Sequence, residues 1–532
     1  MWRFMDKNNK KWFWIILGLT SFIIFFQLGS IPLLDPDEPV YAETAKEMLA
    51  FGDFISPRIY GEFWYDKPPL YYWLTAASFK LFGVSEFAAR LPAAFCGVAC
   101  VMLVYRCGCR LFGLRAGIAG ALALTTSIEY FYVAKAAVTD STLTFFMTAA
   151  LLMFLEKKYL LFYVCAALAT LTKGPIGIVF PGAIIFLYLL ATKNWQELKQ
   201  LKLPQGILLY AVIALPWYLA MYQLHGTVFL DTFIGYHNLT RFTTAEHSST
   251  AAWYFFMPVL ALGFFPWTAL LAQSVCAALA KGRTQSRELL FLVIWGAFVF
   301  VFFSLSSTKL VTYILPMYPA AAMLVGWYVG NCLEEPSFQG WTRYVWPSVL
   351  SGMSLCLLGG AYYGSQLMPE LTGGVHCLAF LLAAMTGAVW YAARKKKPRI
   401  GFGGQVAAMA LVAVVFVTAL VPSVAPAFTT RLVASEFEAV YDGQEPVYVA
   451  KFLHPGFTFY TDVYGQEVVS KEDLQKAIAK EERAYYVLRQ GDYESLAAGE
   501  RGKLRVLLQS GKMLLLQQQS AVAEAFAEAH AF

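Results

Sequence analysis

Residues 12–30, Trp12-Phe13-Trp14-Ile15-Ile16-Leu17-Gly18-Leu19-Thr20-Ser21-Phe22-Ile23-Ile24-Phe25-Phe26-Gln27-Leu28-Gly29-Ser30, form one apolar run. The chain leaves it almost directly into Leu34-Asp35-Pro36-Asp37-Glu38-Pro39-Val40-Tyr41-Ala42-Glu43. A transmembrane helix needs about 20 apolar residues, so the run reads as a span. Acids crowd its exit and no small-residue cleavage site follows, so it reads as retained rather than as a removed signal peptide.

The same pattern recurs along the chain. The 532 residues are 58% hydrophobic and 14% charged. Soluble domains carry roughly a quarter charged residues, so composition excludes one, and a disordered chain with it. The formal charge of +6 is small and its basic residues punctuate apolar runs, so no nucleic-acid partner is expected. The runs give a polytopic α-helical membrane protein of about 13 transmembrane helices. They lie at about 12–30, 88–105, 116–133, 141–155, 159–172, 175–192, 205–224, 252–278, 288–305, 310–330, 344–364, 375–393 and 402–425. Lys173-Gly174-Pro175 reads either as a tight outer turn or as a break within one bent hairpin.

Basic residues orient the chain. The group around Arg3 and Lys11, the Arg106–Arg115, Lys157/Lys158, Lys193–Lys202 and Lys281–Arg287 groups, Arg343 and the Arg394–Arg399 run all fall on one side of a thirteen-span chain. That side is cytoplasmic. The N-terminus is then inside and the C-terminus outside. All nine cysteines sit in spans or cytoplasmic loops, so no disulfide framework is expected.

From about residue 426 charges become frequent and apolar runs shorten. Val447–Phe452, Thr458–Thr461, Ala484–Leu488 and a hairpin of Leu504–Leu508 with Met513–Gln517 read as strands. Lys471–Ala479 and Tyr493–Ala498 read as helices. The organisation expected is a membrane part over 1–425, with its first outer loop at 31–87, and a small extracytoplasmic α/β domain over 426–532.

The first outer loop concentrates polar residues. Pro39 suits a first helical turn and Gly52 a helix stop. Tyr41, Ala45, Met48 and Leu49 share one face, with Glu43, Lys46 and Glu47 on the other. An amphipathic helix in the membrane interface follows. Beyond it come Phe63-Trp64-Tyr65-Asp66-Lys67-Pro68-Pro69-Leu70-Tyr71-Tyr72-Trp73, aromatics suited to the headgroup level. A single Asp37 is most simply a helix N-cap. Three acids in four residues, Asp35, Asp37 and Glu38, are costlier and favour a functional reading. Asp140 has the same N-cap alternative, and Lys173 has snorkelling as its alternative. Arg241, Glu246, His247, Lys309 and Tyr313 fall on the same outer side.

Cations beside an apolar groove suit a lipid phosphate. A nearby carboxylate suits a general base for an acceptor hydroxyl. Group transfer from a lipid-phosphate donor follows, with Lys and Arg stabilising the leaving phosphate.

Asp37-Glu38-Pro39-Val40-Tyr41-Ala42-Glu43, Glu47-Met48-Leu49 and Asp66-Lys67-Pro68-Pro69-Leu70 resemble the bacterial aminoarabinose (4-amino-4-deoxy-L-arabinose) transferases, relatives of the protein O-mannosyltransferases. The resemblance extends to Asp140, Lys173-Gly174-Pro175, Arg241-Phe242, His247, Trp253-Tyr254 and Lys309-Leu310 with Tyr313. It implies a GT-C glycosyltransferase fold in the bacterial inner membrane. It implies a periplasmic active site, a polyprenyl-phosphate (undecaprenyl-phosphate) sugar donor, and lipid A, a protein or another cell-envelope glycan as acceptor. Asp37 would be the catalytic carboxylate, with Glu38 and Asp140 as further acids of the site. Lys67 would grip the donor phosphate, helped by Arg241, Lys309, Tyr313, Tyr41 and Lys173. Asp66 and His247 would hold a zinc ion. The chain departs from the family at Asp66, where most relatives carry Glu, and at Val40, where many carry Arg.

Two other classes compete. A lipid-linked sugar flippase would place charges near the midplane and show related halves, whereas here charges sit at outer span ends. A structural membrane subunit would have no use for the clustered acids and lysines.

Overall fold

A computed structural model describes residues 7–240, 252–280, 286–332, 341–480 and 482–518. The chain divides into two compact units. One comprises Met1–Leu28, Tyr65–Tyr71 and Arg90–Leu420; the other comprises Gly29–Trp64, Tyr72–Ala89 and Val421–Phe532.

The first unit is helical. Among the described residues six helices are long and apolar enough to cross a membrane, and up to eight if two bent pairs each count once. The protein is thus a multi-pass membrane protein. The expected span at 116–133 is one bent pair: Leu114–Thr125 and Ile128–Ala134 meet at 68°. The other is 252–278, where Phe256–Gly263 and Thr268–Ala280 meet at 106°. Pro266 lies in that break and has no N–H to continue a helical ladder. The runs at 141–155, 159–172 and 175–192 form helices of 17, 15 and 17 residues: Thr139–Leu155, Tyr159–Lys173 and Ile176–Thr192. Gly174, at φ 91°, makes the turn between the last two. Only glycine enters that region freely.

Small residues let helices of this unit approach closely. A Cβ on Gly326 would stand 2.5 Å from Ala116 O and 2.6 Å from Gly120 N. Helix Tyr318–Cys332 therefore lies directly on Leu114–Thr125, as membrane helices pack through small side chains. Lys135 has a local role. Its ammonium donates to Ile24 O at 2.9 Å and Phe26 O at 2.7 Å, satisfying carbonyls at the end of the first helix, Lys7–Phe25.

The second unit holds a ribbon of β1 (Arg58–Ile59) with β2 (Glu62–Phe63) and a five-stranded sheet. The sheet strands are β3 (Val447–Ala450), β4 (Gln466–Val468), β5 (Ala484–Arg489), β6 (Leu504–Ser510) and β7 (Met513–Gln518), in the order β4-β3-β5-β7-β6. β3 runs parallel to β4 and β5, while β7 runs antiparallel to β5 and β6. β5 is buried along all but its last residue, which suits a central strand covered on both faces. Tyr485, Tyr486, Val487 and Leu515 centre the core.

Two expectations fail here. Thr458–Thr461 is no strand but the end of helix His454–Thr461, with Pro455 in its first turn and Asp462 in the left-handed conformation at its end. The Thr and aromatic content suggested extended chain, but the proline start and the αL stop set a helix. The helix expected at Tyr493–Ala498 falls instead at Gln490–Glu494, with a second at Ala498–Gly502. Leu70–Phe82 forms a further helix, in a stretch where the sequence marks only aromatics suited to the headgroup level.

Helix Asp37–Phe51 forms as expected, with Gly52 at φ 63° after it. Its faces do not divide as expected. Glu43 and Glu47 are 1% and 2% exposed, as buried as Ala45 and Met48. Both faces are covered within this unit, so the acids face protein rather than water.

Candidate functional site

The helical unit carries a charged cluster built by an antiparallel helix pair. Asp140 lies in the first turn of Thr139–Leu155, and Lys173 ends Tyr159–Lys173. The turn at Glu156–Lys158 folds the second helix back, which brings the carboxylate at one helix start to the lysine at the other helix end. Each charge suits its helix dipole. Lys173 Nζ donates to Asp140 Oδ1 at 2.7 Å, with the two side chains 15% and 10% exposed. The same ammonium stands 5.1 Å from the centre of the Tyr313 ring. Asp66 also acts on it electrostatically.

Asp66 and Lys67 make a second pair, with Lys67 Nζ 2.8 Å from Asp66 Oδ1. Aromatic packing pins this segment: Tyr65 lies 5.2 Å from His225 and 5.9 Å from Phe229. Pro68 and Pro69 follow, and a proline disfavours the helical region in the residue before it, so helix Leu70–Phe82 begins only after them. The unit thus brings Asp66, Asp140, Lys173 and Tyr313 together, with Lys67 bonded to Asp66. Lys309 is 2% exposed and donates to Ser306 O at 2.6 Å. Arg241 and His247 lie outside the described residues.

One buried acid of this unit escaped the sequence reading. Glu129, 5% exposed, accepts a hydrogen bond from the Tyr318 hydroxyl and is coupled electrostatically to Asp140. Its signal was available: an acid inside an apolar run is costly and rarely idle.

In the second unit Asp37 is exposed in the first turn of its helix, at the positive end of the helix dipole. Tyr41, one turn on, packs 6.1 Å from Tyr72. The neighbouring acids are engaged locally. Glu38 Oε2 accepts from Leu34 N–H at 2.9 Å, and Asp35 Oδ2 accepts from Thr430 N–H at 2.7 Å. Burial pushes the Asp35 carboxyl up to about 8, opposed by the Thr430 hydrogen bonds. Burial also pushes Glu43 up to about 8, opposed by Lys46. Glu47 is raised by burial while backbone N–H groups of Gly61 and Tyr60 hold it down. Lys46 donates to Phe459 O at 2.8 Å and pairs with Asp462 at 2.6 Å, so it is a structural cation.

For zinc, the described residues contain no group of three His, Cys, Asp or Glu side chains arranged to hold a metal. Asp66 is already engaged by Lys67, and two ligands alone hold zinc weakly. What these residues can do chemically is hold and neutralise an anion with ammonium groups in a low-dielectric setting, where each is worth more than in water.

The family model described as dolichyl-phosphate-mannose-protein mannosyltransferase matches residues 66–220. An uncharacterised Aquifex aeolicus protein is 33% identical over 319 residues, 59% of this chain and 72% of that protein. An undecaprenyl phosphate-alpha-4-amino-4-deoxy-L-arabinose arabinosyl transferase of Aeromonas hydrophila is 30% identical over 360 residues, 64% of each chain. The chain therefore spans less than two thirds of that enzyme's length. The crystal structure of ArnT from Cupriavidus metallidurans bound to undecaprenyl phosphate superposes with a TM-score of 0.77 at 21% identity, over 96% of this chain and 99% of that one. At that identity the likeness shows the fold.

Proposed function

We propose that the chain is an ArnT-like GT-C glycosyltransferase, an integral-membrane enzyme moving a sugar from a polyprenyl-phosphate donor to a cell-envelope acceptor. The donor is undecaprenyl-phosphate 4-amino-4-deoxy-L-arabinose and the acceptor lipid A. The single observation that carries this is the Asp140–Lys173 pair beside Tyr313, with Asp66–Lys67 next to it. Ammonium groups held among apolar helices are what a lipid phosphate needs. The family likeness supports the same reading.

In the proposed reaction the acceptor oxygen attacks the anomeric carbon. The bond from that carbon to the phosphate oxygen breaks, and the polyprenyl phosphate leaves with the electron pair. Asp37 takes the acceptor proton as general base. Lys67, with Lys173, Lys309, Tyr313 and Arg241, stabilises the charge on the departing phosphate. Glu38 and Asp140 are the further acids of the proposed site, and Tyr41 joins the groups that hold the donor phosphate. The proposal includes about 13 spans, a cytoplasmic N-terminus, and the reaction and residues 426–532 on the periplasmic side. Asp66 and His247 stay as the proposed metal ligands. Chelation is then expected to lower turnover and added zinc to restore it, with Asp66→Asn insensitive to both.

The protein-mannosyltransferase match over 66–220 favours a second reading, in which the acceptor is a protein hydroxyl. Mass spectrometry of lipid A and of envelope glycoproteins, from cells with and without this chain, separates the two. Loss of one pentosamine mass from lipid A is expected. Loss of a hexose from glycoproteins alone establishes the second reading. No change in either pool ends both.

A further inference from the structure

The five-stranded sheet ends three neighbouring parallel strands on one edge, at Val468, Ala450 and Arg489. In open sheets the crevice outside the carboxyl ends of parallel strands is where ligands bind. Here that crevice is a cavity of about 350 Å³, within the roughly 300–1,000 Å³ of small-ligand sites.

Its lining is mainly basic. Lys451, Lys471 and Arg489 face Asp492 as the sole acid. Each cation comes from a different element: Lys451 follows β3, Lys471 opens helix Lys471–Ile478, and Arg489 ends β5. The unit's ion pairs join Lys46 to Asp462 and Glu43, Arg58 to Asp53, Arg431 to Glu86, Arg483 to Glu445 and, when its ring is protonated, His454 to Glu467. None of the three cleft cations takes part in an ion pair among the described residues. Arg489 is held in place, its guanidinium 4.3 Å from the centre of the Phe452 ring. Phe452 and Val469 stay 42% and 63% exposed in the lining, an apolar wall left uncovered. The floor is fixed where Lys451 N–H donates to Val468 O at 3.1 Å.

We infer that this cleft binds a phosphorylated sugar, with its phosphate among Lys451, Lys471 and Arg489 and its ring against Phe452 and Val469. Three cations against one carboxylate leave two positive charges, and a phosphate monoester carries about −1.5 to −2 near pH 7. The planar guanidinium offers a two-point contact to phosphate. The cavity far exceeds what a bare phosphate fills, which is why a sugar is required. The inference stands apart from the transfer reaction, since Asp37 and Lys67 play no part in it.

The test uses full-length protein in phosphatidylcholine nanodiscs, titrated calorimetrically with glucose 1-phosphate, glucose or inorganic phosphate. Saturable binding of glucose 1-phosphate is expected, with the other two at least about tenfold weaker. Arg489→Gln should weaken glucose 1-phosphate by about tenfold. Asp492→Asn should tighten it, a gain that a damaged fold does not produce. Equal binding of glucose overturns the phosphate assignment, and equal binding of inorganic phosphate overturns the sugar. Absence of binding, or no tightening in Asp492→Asn, overturns the site.

Discussion

Both units pair acids with cations, and they differ in what else holds a carboxylate. In the helical unit a carboxylate finds a cation: Asp140 takes Lys173, Asp66 takes Lys67, and Glu156 takes Arg106 at 3.0 Å, Arg110 at 3.2 Å and Lys158. The other unit also pairs Asp53, Glu86, Glu445 and Asp462 with cations, but around helix Asp37–Phe51 its acids find backbone: Asp35 accepts from Thr430 N–H, Glu38 from Leu34 N–H, and Glu47 from Gly61 N–H at 3.1 Å. The cause is donor supply. A long helix consumes its own amides except in the first turn. A buried acid beside such helices is therefore met by a side chain, a cation for Asp140 and the Tyr318 hydroxyl for Glu129. Irregular segments and turns leave amides unspent, and these bind carboxylates without any cation. An ammonium held by a single acid can be recruited by an incoming phosphate. An amide cage holds only its own carboxylate.

Five single substitutions test that contrast. Asp37→Asn is expected to lower turnover by more than about 100-fold, the scale of a lost general base. Binding of lipid-linked donor, measured separately, should stay near normal. A variant that turns over normally removes Asp37 from the reaction. Next in size, Lys173→Met strands the Asp140 carboxylate and should cost about 3–5 kcal/mol. Thermal unfolding in detergent reads it, and adding Asp140→Asn should restore most of the loss. A single variant as stable as the double would make the pair a surface contact.

Lys67→Ala is expected to weaken donor binding by about tenfold, roughly 1.4 kcal/mol. Lys46→Ala should leave donor affinity alone and lower the melting temperature instead, because Lys46 ties its helix to Asp462 and Phe459. Equal loss of affinity in the two would show that Lys67 has no special hold on the donor. The smallest effect is one of pH. Burial keeps Glu43 protonated in the folded chain up to about 8, while an unfolded glutamate releases its proton near about 4.3. Between those values the unfolded state binds fewer protons, so stability falls as pH rises through the window. Glu43→Gln should remove that fall. At pH 8 the variant should melt a few degrees higher than the parent, and at pH 5 close to it. Fluorescence melting curves at both values decide.

Much of this was legible in residue order alone. Pro39 and Gly52 marked the helix 37–51, and Ser510-Gly511 marked the last hairpin, because turn and cap residues act within a few positions. The Asp140–Lys173 pair could be listed by type but not joined, since its two residues lie 33 apart and only the helix pair unites them. The burial of Glu43 and Glu47 was illegible for a similar reason. Their covering partners include β1 and helix His454–Thr461, the latter some 400 residues away, and alternation within one helix carries no news of them. Helix His454–Thr461 was misread because β-prone side chains argue only weakly against a proline start.

The chain passes between its two units at residues 28/29, 64/65, 71/72, 89/90 and 420/421. Five passages mean that no single cut frees either body whole. A fragment starting at 421 would arrive without helix Asp37–Phe51, leaving the Phe459 carbonyl and the Asp462 carboxylate without the lysine that binds both. Biochemical dissection of this molecule therefore calls for point changes in the intact chain, since scissors at any one bond would yield two incomplete parts.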